Sequence, residues 1–148
     1  MTNAYKVYTA ARQLLEGYAA AMQPLCRREG LAPNGVDILL FLANNPGLDT
    51  ARDICTYRGL KPGIVSFHVE KLVQEGYLLR QPAPEDRRKC RLVCTRRAEP
   101  VVQRGRQVQE AFFRRMTAGL DPQDLAAFRR CLEGFQRNLS QMTQEDDQ

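Results

Sequence analysis

At 148 residues the chain has the length of a single domain, and 43% hydrophobic residues, few aromatics, no Trp and 26% charge fit a helical globular protein, neither fibrous nor disordered. A formal charge of +5 suggests an anionic partner, and its placement matters more than its size: residues 49–97 hold eleven Lys and Arg against six Asp and Glu, which is the whole excess. No apolar run of about 18 residues exists to span a bilayer, and the first residues lack the apolar stretch of a secretory signal, so a cytoplasmic protein with no membrane partner is expected.

Residues 3–28 read as one long amphipathic helix, with Tyr8, Ala11, Leu15, Tyr18, Met22 and Leu25 recurring at spacings of 3 and 4. The run Val36 to Ala43 is almost wholly apolar and predicts a short buried helix, stopped by the breaker cluster Asn44, Asn45, Pro46 and Gly47. Asp49 is then expected to cap a helix from Thr50 to Tyr57, closed by Gly59. Lys61-Pro62 opens another, with Pro at its first position, which runs to Glu75 and stops at Gly76. Two short helices joined by a Gly-containing turn form a helix-turn-helix unit.

Beyond Gly76, Tyr77 to Arg80 reads as a strand, residues 82–89 as a polar loop with two prolines, and Cys90 to Thr95 as a returning strand. A hairpin of two strands is marginal alone, so this one must lean on the preceding helices as a wing. Residues 98–141 read as two more helices. Asp121-Pro122 caps the second, along which Leu125, Phe128, Leu132, Phe135, Leu139 and Met142 repeat the 3-4 spacing, and residues 144–148 read as a frayed acidic tail. Two seams at opposite ends imply that the termini meet. A homodimer is preferred to a monomeric helical packing, because both helices outlast so small a core.

The expected fold is therefore mainly α with a small β-hairpin wing. A winged helix-turn-helix at 31–97 is flanked by helical dimerisation segments at 1–30 and 98–148.

Chemistry narrows the function further. Five cysteines at irregular spacings suit reduced thiols, and one His without paired Cys-x-x-Cys motifs argues against zinc or another cofactor. With no Gly-rich phosphate loop and no nucleophile set beside a base, no catalytic residues emerge and an enzyme is not expected.

Duplex DNA is the partner the cations favour. With Val65 at zero on a helical wheel, Val69 and Leu72 fall within about 40° and define a buried face. The opposite face carries Gly63, Phe67, Glu70 and Gln74, flanked by Ser66 on one side and Ile64 and Lys71 on the other. The first half of such a helix enters a major groove, which makes Lys61, Pro62, Gly63, Ser66, Phe67 and Lys71 the candidates. Gly63 allows close backbone approach, Ser66 can bond several base edges, and Phe67 can touch a thymine methyl. Glu70 needs a cation or a cytosine amine beside it. From Asp86 to Arg97 there are six cations and one anion. Arg87, Arg88, Lys89 and Arg91 are the expected wing contacts, while Asp86 is suited to hold a guanidinium or the loop backbone in shape.

Residues 31–95 resemble the MarR family of winged helix-turn-helix regulators, above all in LKPGIVSFHVEKLVQEGYL and in the wing PEDRRKCRLVCT, with its Asp-x-Arg at Asp86 and Arg88 and its strand-ending Thr95. Gly35, Phe67 and Cys94 depart from the family pattern. The resemblance implies a symmetric dimer built from the terminal helices, with Arg88 as the minor-groove residue and the helix from Pro62 to Glu75 as the reader. It also implies a repressor released by a small aromatic or amphipathic effector, for which Tyr8, Tyr18, Phe41 and Tyr57 are candidates.

Two alternatives stay open. One is a redox-responsive regulator, in which Arg27 and Arg28 would favour a Cys26 thiolate; Cys90 and Cys94, about 13 Å apart on one strand, are too distant for a disulfide. The other is a winged module that binds protein rather than specific DNA. His68 reads as a boundary residue satisfied by a neighbour.

Overall fold

The first stripe does build a long helix, α1 (Ala4–Glu29), in the computed structural model, which describes residues 4–145. Only its C-terminal half meets a core: Met22, Leu25 and Cys26 are buried, whereas Tyr8 and Leu15 of the same stripe are exposed. Helix α2 (Pro33–Asn44) starts earlier than its apolar run suggests, because Pro33 takes the first helical position behind extended Ala32. Ile38, Leu39 and Leu40 point about 100° apart and are all buried, so α2 is the axle round which the rest packs. Asn45 ends it, its side-chain amide donating to the Phe41 carbonyl at 2.8 Å.

Helix α3 (Ala51–Arg58) corrects the expected cap. Thr50, not Asp49, is the N-cap: its hydroxyl accepts from the Asp53 amide while the Asp53 carboxylate accepts from the Thr50 amide, a reciprocal capping box. Gly59, at φ 65°, closes the helix from the left-handed region that a side chain disfavours. Helix α4 (Pro62–Gln74) follows with Lys61 as N-cap and Pro62 at its first position. It ends where Gly76, at φ 81°, turns the chain so that the Tyr77 amide reaches back to the Leu72 carbonyl at 2.8 Å.

The hairpin consists of β1 (Leu78–Pro82) and β2 (Cys90–Cys94), antiparallel with Leu78 opposite Cys94 and Pro82 opposite Cys90. The strands thus sit slightly differently from the sequence reading: Tyr77 belongs to the turn, Pro82 to β1, and Thr95 lies beyond β2. Leu78 and Leu92 face inward and are buried. The Leu92 amide donates to the Asp49 carbonyl at 2.7 Å, and the Thr95 hydroxyl to the Gly76 carbonyl at 2.6 Å. These bonds, with the buried leucines, seat the hairpin on the helices, as a marginal two-stranded sheet requires.

Helix α5 (Glu99–Met116) completes the first core with Val101 and Val102. Its Gly105 comes so close to α2 that a Cβ there would meet Leu40 Cδ2 at 2.7 Å. Contacts divide the chain into two units, Met1–Phe112 and Phe113–Gln148. In the second, the Thr117 hydroxyl donates to the Phe113 carbonyl at 2.8 Å, and Asp121 caps α6 (Pro122–Glu145) by accepting from the Gln123 amide at 2.7 Å. Gln144 and Glu145 of the expected acidic tail are helical; the rest of that tail lies outside the described residues. Along α6, Phe128, Leu132, Phe135 and Met142 are exposed. No helix among the described residues is long and apolar enough to cross a membrane.

Candidate nucleic-acid interface

Helix α4 divides as its spacing predicts. Val65, Val69 and Leu72 are buried, while Gly63, Ser66, Phe67 and Lys71 are exposed together with Lys61 and Pro62 at its start. A Cβ added at Gly63 meets nothing within 4 Å, so the first turn of α4 is open to close approach from outside. Phe67 is 64% exposed, its ring edge-on to His68 at 5.1 Å between centroids. A large aromatic held out in water at the centre of a polar face costs hydrophobic free energy unless something covers it.

Glu70, the awkward anion on that face, has its cation. Arg80 of β1 donates to Glu70 Oε2 at 2.8 Å, and Gln74 donates to Oε1 at 3.2 Å. Sequence reading asked for a cation beside Glu70 without identifying Arg80, because nothing in local spacing reveals that β1 folds back beside α4.

The wing tip is a shaped turn. The Arg88 amide donates to Asp86 Oδ1 at 2.9 Å and the Lys89 amide to the Asp86 carbonyl at 3.0 Å, while the Ala83 amide closes the loop on the Lys89 carbonyl at 2.9 Å. Asp86 therefore organises backbone, not a guanidinium. Arg87 and Arg88 occupy the apex, and they and Lys89 are exposed, with no carboxylate partner among the described residues. Three cations on a fixed loop form a concentrated positive end suited to phosphate.

Arg91 differs from the other wing candidates. It donates to Glu85 Oε1 at 2.6 Å and lies 3.6 Å from Asp49 Oδ2, so its charge is spent inside the protein, bracing the wing against the residue before α3's cap. Asp49, expected as a cap, is an anchor for β2 instead.

Of the four aromatic candidates, Phe41 and Tyr57 stack at 6.2 Å between centroids. Tyr18 packs edge-on against Phe112, and its oxygen accepts from Gln109 at 2.8 Å. Burial, ahead of that bond, pushes its hydroxyl pKa up. Beside this group, Arg58 grips Asp37 through two bonds of 2.8 and 2.6 Å, which raise the guanidinium pKa. Tyr8 is 73% exposed and lies about 15 Å along α1 from Tyr18 by helical rise.

The cysteines are free thiols. Cys26 is buried, and burial pushes its pKa up, against the thiolate that Arg27 and Arg28 would favour.

Residues 29–89 match the MarR family model, a span from the end of α1 to the wing tip. No curated protein sequence matches the chain. Similar solved structures include a MarR transcriptional regulator from Methanosarcina mazei Go1, with TM-score 0.76, 18% identity and coverage of 93% of this chain and 99% of that one. A MarR-family regulator from Silicibacter pomeroyi has TM-score 0.78 and 22% identity over 90% of this chain and 89% of its own. CouR from Rhodococcus jostii RHA1, in a structure bound to p-coumaroyl-CoA, has TM-score 0.73 and 18% identity over 90% and 91%. The winged segment is therefore similar to the MarR family, and nearly the whole chain shares the fold of these solved regulators.

Proposed function

We propose that the protein is a cytoplasmic, non-enzymatic homodimer that binds a specific duplex operator as a repressor and leaves it when a small aromatic or amphipathic molecule binds. In this reading residues 31–97 contact DNA, and the segments 1–30 and 98–148 pair the two copies. Helix α4 lies in the major groove with Gly63, Ser66 and Phe67 nearest the bases and Lys61, Pro62 and Lys71 alongside, while the wing reaches the backbone and an adjacent minor groove through Arg87, Arg88 and Lys89. The observation that carries it is the wing tip: three exposed cations on a turn that Asp86 fixes, at the end of a hairpin whose β1 reaches α4 through Arg80 and Glu70.

Pairing is supported by the exposed apolar residues Tyr8 and Leu15 of α1 and Phe128, Phe135 and Met142 of α6. The effector is supported by the p-coumaroyl-CoA bound to CouR. The surface offered to it is the aromatic group of Phe41, Tyr57 and Tyr18, with Tyr8 further along α1. Burial of Cys26 weighs against switching by oxidation there.

Selection of bound sequences from random duplex DNA tests the reading. The expected result is a palindrome with half-site centres about one helical turn apart, with affinity falling steeply as salt rises. Weak binding without sequence preference would overturn it in favour of a protein-interaction module.

A further inference from the structure

The groups that α4 offers to a base edge are few and of a particular kind. Guanine is read by Arg or Lys and adenine by the forks of Asn or Gln. Helix α4 contains no Arg and no Asn, and its one Gln, Gln74, is engaged by donating to Glu70 Oε1 at 3.2 Å. Lys71 stands at the flank. The outward face presents instead the ring of Phe67, with Ile64 one turn earlier 42% exposed, and the carboxylate of Glu70.

Phe67 stands where nothing of the protein covers it. Its ring leans edge-on against His68, and at Gly63, one turn earlier on the same face, an added Cβ would meet nothing within 4 Å, so a partner's surface can come up against the ring. In a major groove one group on the base edges is apolar, the 5-methyl of thymine.

Glu70 follows three residues on, with its Cβ about 5–6 Å from that of Phe67, a spacing that reaches neighbouring base pairs stacked about 3.4 Å apart. A bare carboxylate there would be repelled by phosphates. Arg80 of β1 balances the charge by donating to Oε2 at 2.8 Å, while the Glu70 side chain stays 51% exposed. Each carboxylate oxygen has two lone pairs, so with Arg80 on one oxygen and Gln74 on the other, both can still accept from outside. The two bonds also hold the carboxylate in place beforehand, at little further entropic cost to a partner. Of the exocyclic donors in the groove, adenine N6 sits beside the N7 acceptor, which repels a carboxylate; cytosine N4 has no acceptor on its own base edge.

We propose that Phe67 and Glu70 set the specificity of the operator, Phe67 covering the 5-methyl of a thymine and Glu70 accepting from the N4 amine of a cytosine in the neighbouring base pair. The proposal rests on the operator reading above and adds which bases each half-site must hold.

The test uses the full chain and the operator returned by selection from random duplexes. Each thymine of the half-site is replaced in turn by deoxyuridine, which lacks only the methyl, and affinity is measured by fluorescence anisotropy. At one thymine the replacement is expected to weaken the native chain about fourfold for each half-site and to leave Phe67→Ala indifferent. A second selection is made with Glu70→Gln. Its side chain keeps an acceptor for Arg80 and gains a donor, the fork that suits adenine, so the preference at the neighbouring position should move from cytosine to adenine. Both residues are exposed, and circular dichroism should show both variants folded as the native chain is.

Deoxyuridine penalties that are absent, or equal in the native chain and Phe67→Ala, would overturn the proposal, as would an unchanged cytosine preference in Glu70→Gln. A specific operator indifferent to these changes removes this assignment of bases alone. Failure to select any sequence removes the operator reading and the assignment with it.

Discussion

Helices α4 and α6 carry the same apolar spacing and meet opposite fates. On α4, Val65, Val69 and Leu72 are 0, 3 and 2% exposed, whereas on α6 Phe128, Phe135 and Met142 are 59, 57 and 60% exposed. Periodicity selects the face of a helix; what covers that face depends on which elements the loops bring back to it. Capped turns fold α2, α3 and the hairpin onto α4 within a short stretch of chain. On α6, Phe128, Phe135 and Met142 stay exposed, and in the proposed assembly a second copy covers them.

The same chemical change on the two helices should therefore give different readouts. Val69→Asp places a carboxylate in a fully apolar core and is expected to cost roughly 4 kcal/mol or more, abolishing cooperative unfolding measured by circular dichroism. Phe128→Asp with Phe135→Asp should leave that transition in place and instead halve the mass measured by sedimentation. Loss of the paired half-site then lowers operator affinity by about a hundredfold or more. A double variant that sediments unchanged would break the comparison, because α6 would not be where copies meet.

A smaller effect separates two arginines that sequence grouped together. Arg88→Ala should weaken operator binding about tenfold and reduce the slope of log affinity against log salt by about 1. Arg91→Ala should leave that slope nearly unchanged, since Arg91 is already paired with Glu85 and Asp49. Its loss would instead loosen the wing, seen as faster amide exchange at Leu92. Equal salt slopes for the two variants would remove the distinction between a free and a spent cation.

This pair also marks how far the sequence could be read. Gly59, Pro62 and Gly76 punctuate the chain through backbone geometry that each imposes locally, so helix order and the wing were legible, as was the buried face of α4, whereas the start of α2 at Pro33 was not read. The Thr50–Asp53 box was equally local and could have been found from its spacing, but Asp49 beside it was the more obvious capping residue. The bonds Glu70–Arg80, Asp49–Leu92, Asp37–Arg58 and Asn44–Arg106 were out of reach. Each joins residues 10 to 62 positions apart, and a charge count cannot tell which cations are neutralised within the fold. The tip cations were legible because a hairpin apex has few intramolecular partners to offer.

The smallest expected effect probes the margin between the two faces of α4. His68 is half-buried, and burial, then the Lys71 charge, lowers its pKa in the folded protein. The unfolded chain, with an imidazole near its ordinary value of about 6.5, therefore binds the proton first as pH falls. Stability is complete above that value, declines as pH drops through it toward the lower folded pKa, and levels off below. Carboxylates contribute their own loss at still lower pH, so the measurement is the difference in Tm between the native chain and His68→Gln from neutral to mildly acidic pH. The native chain should lose Tm relative to the variant as pH is lowered. A constant difference would mean that the imidazole is as well solvated in the fold as out of it, and that on the His68 side the buried face of α4 stops at Leu72.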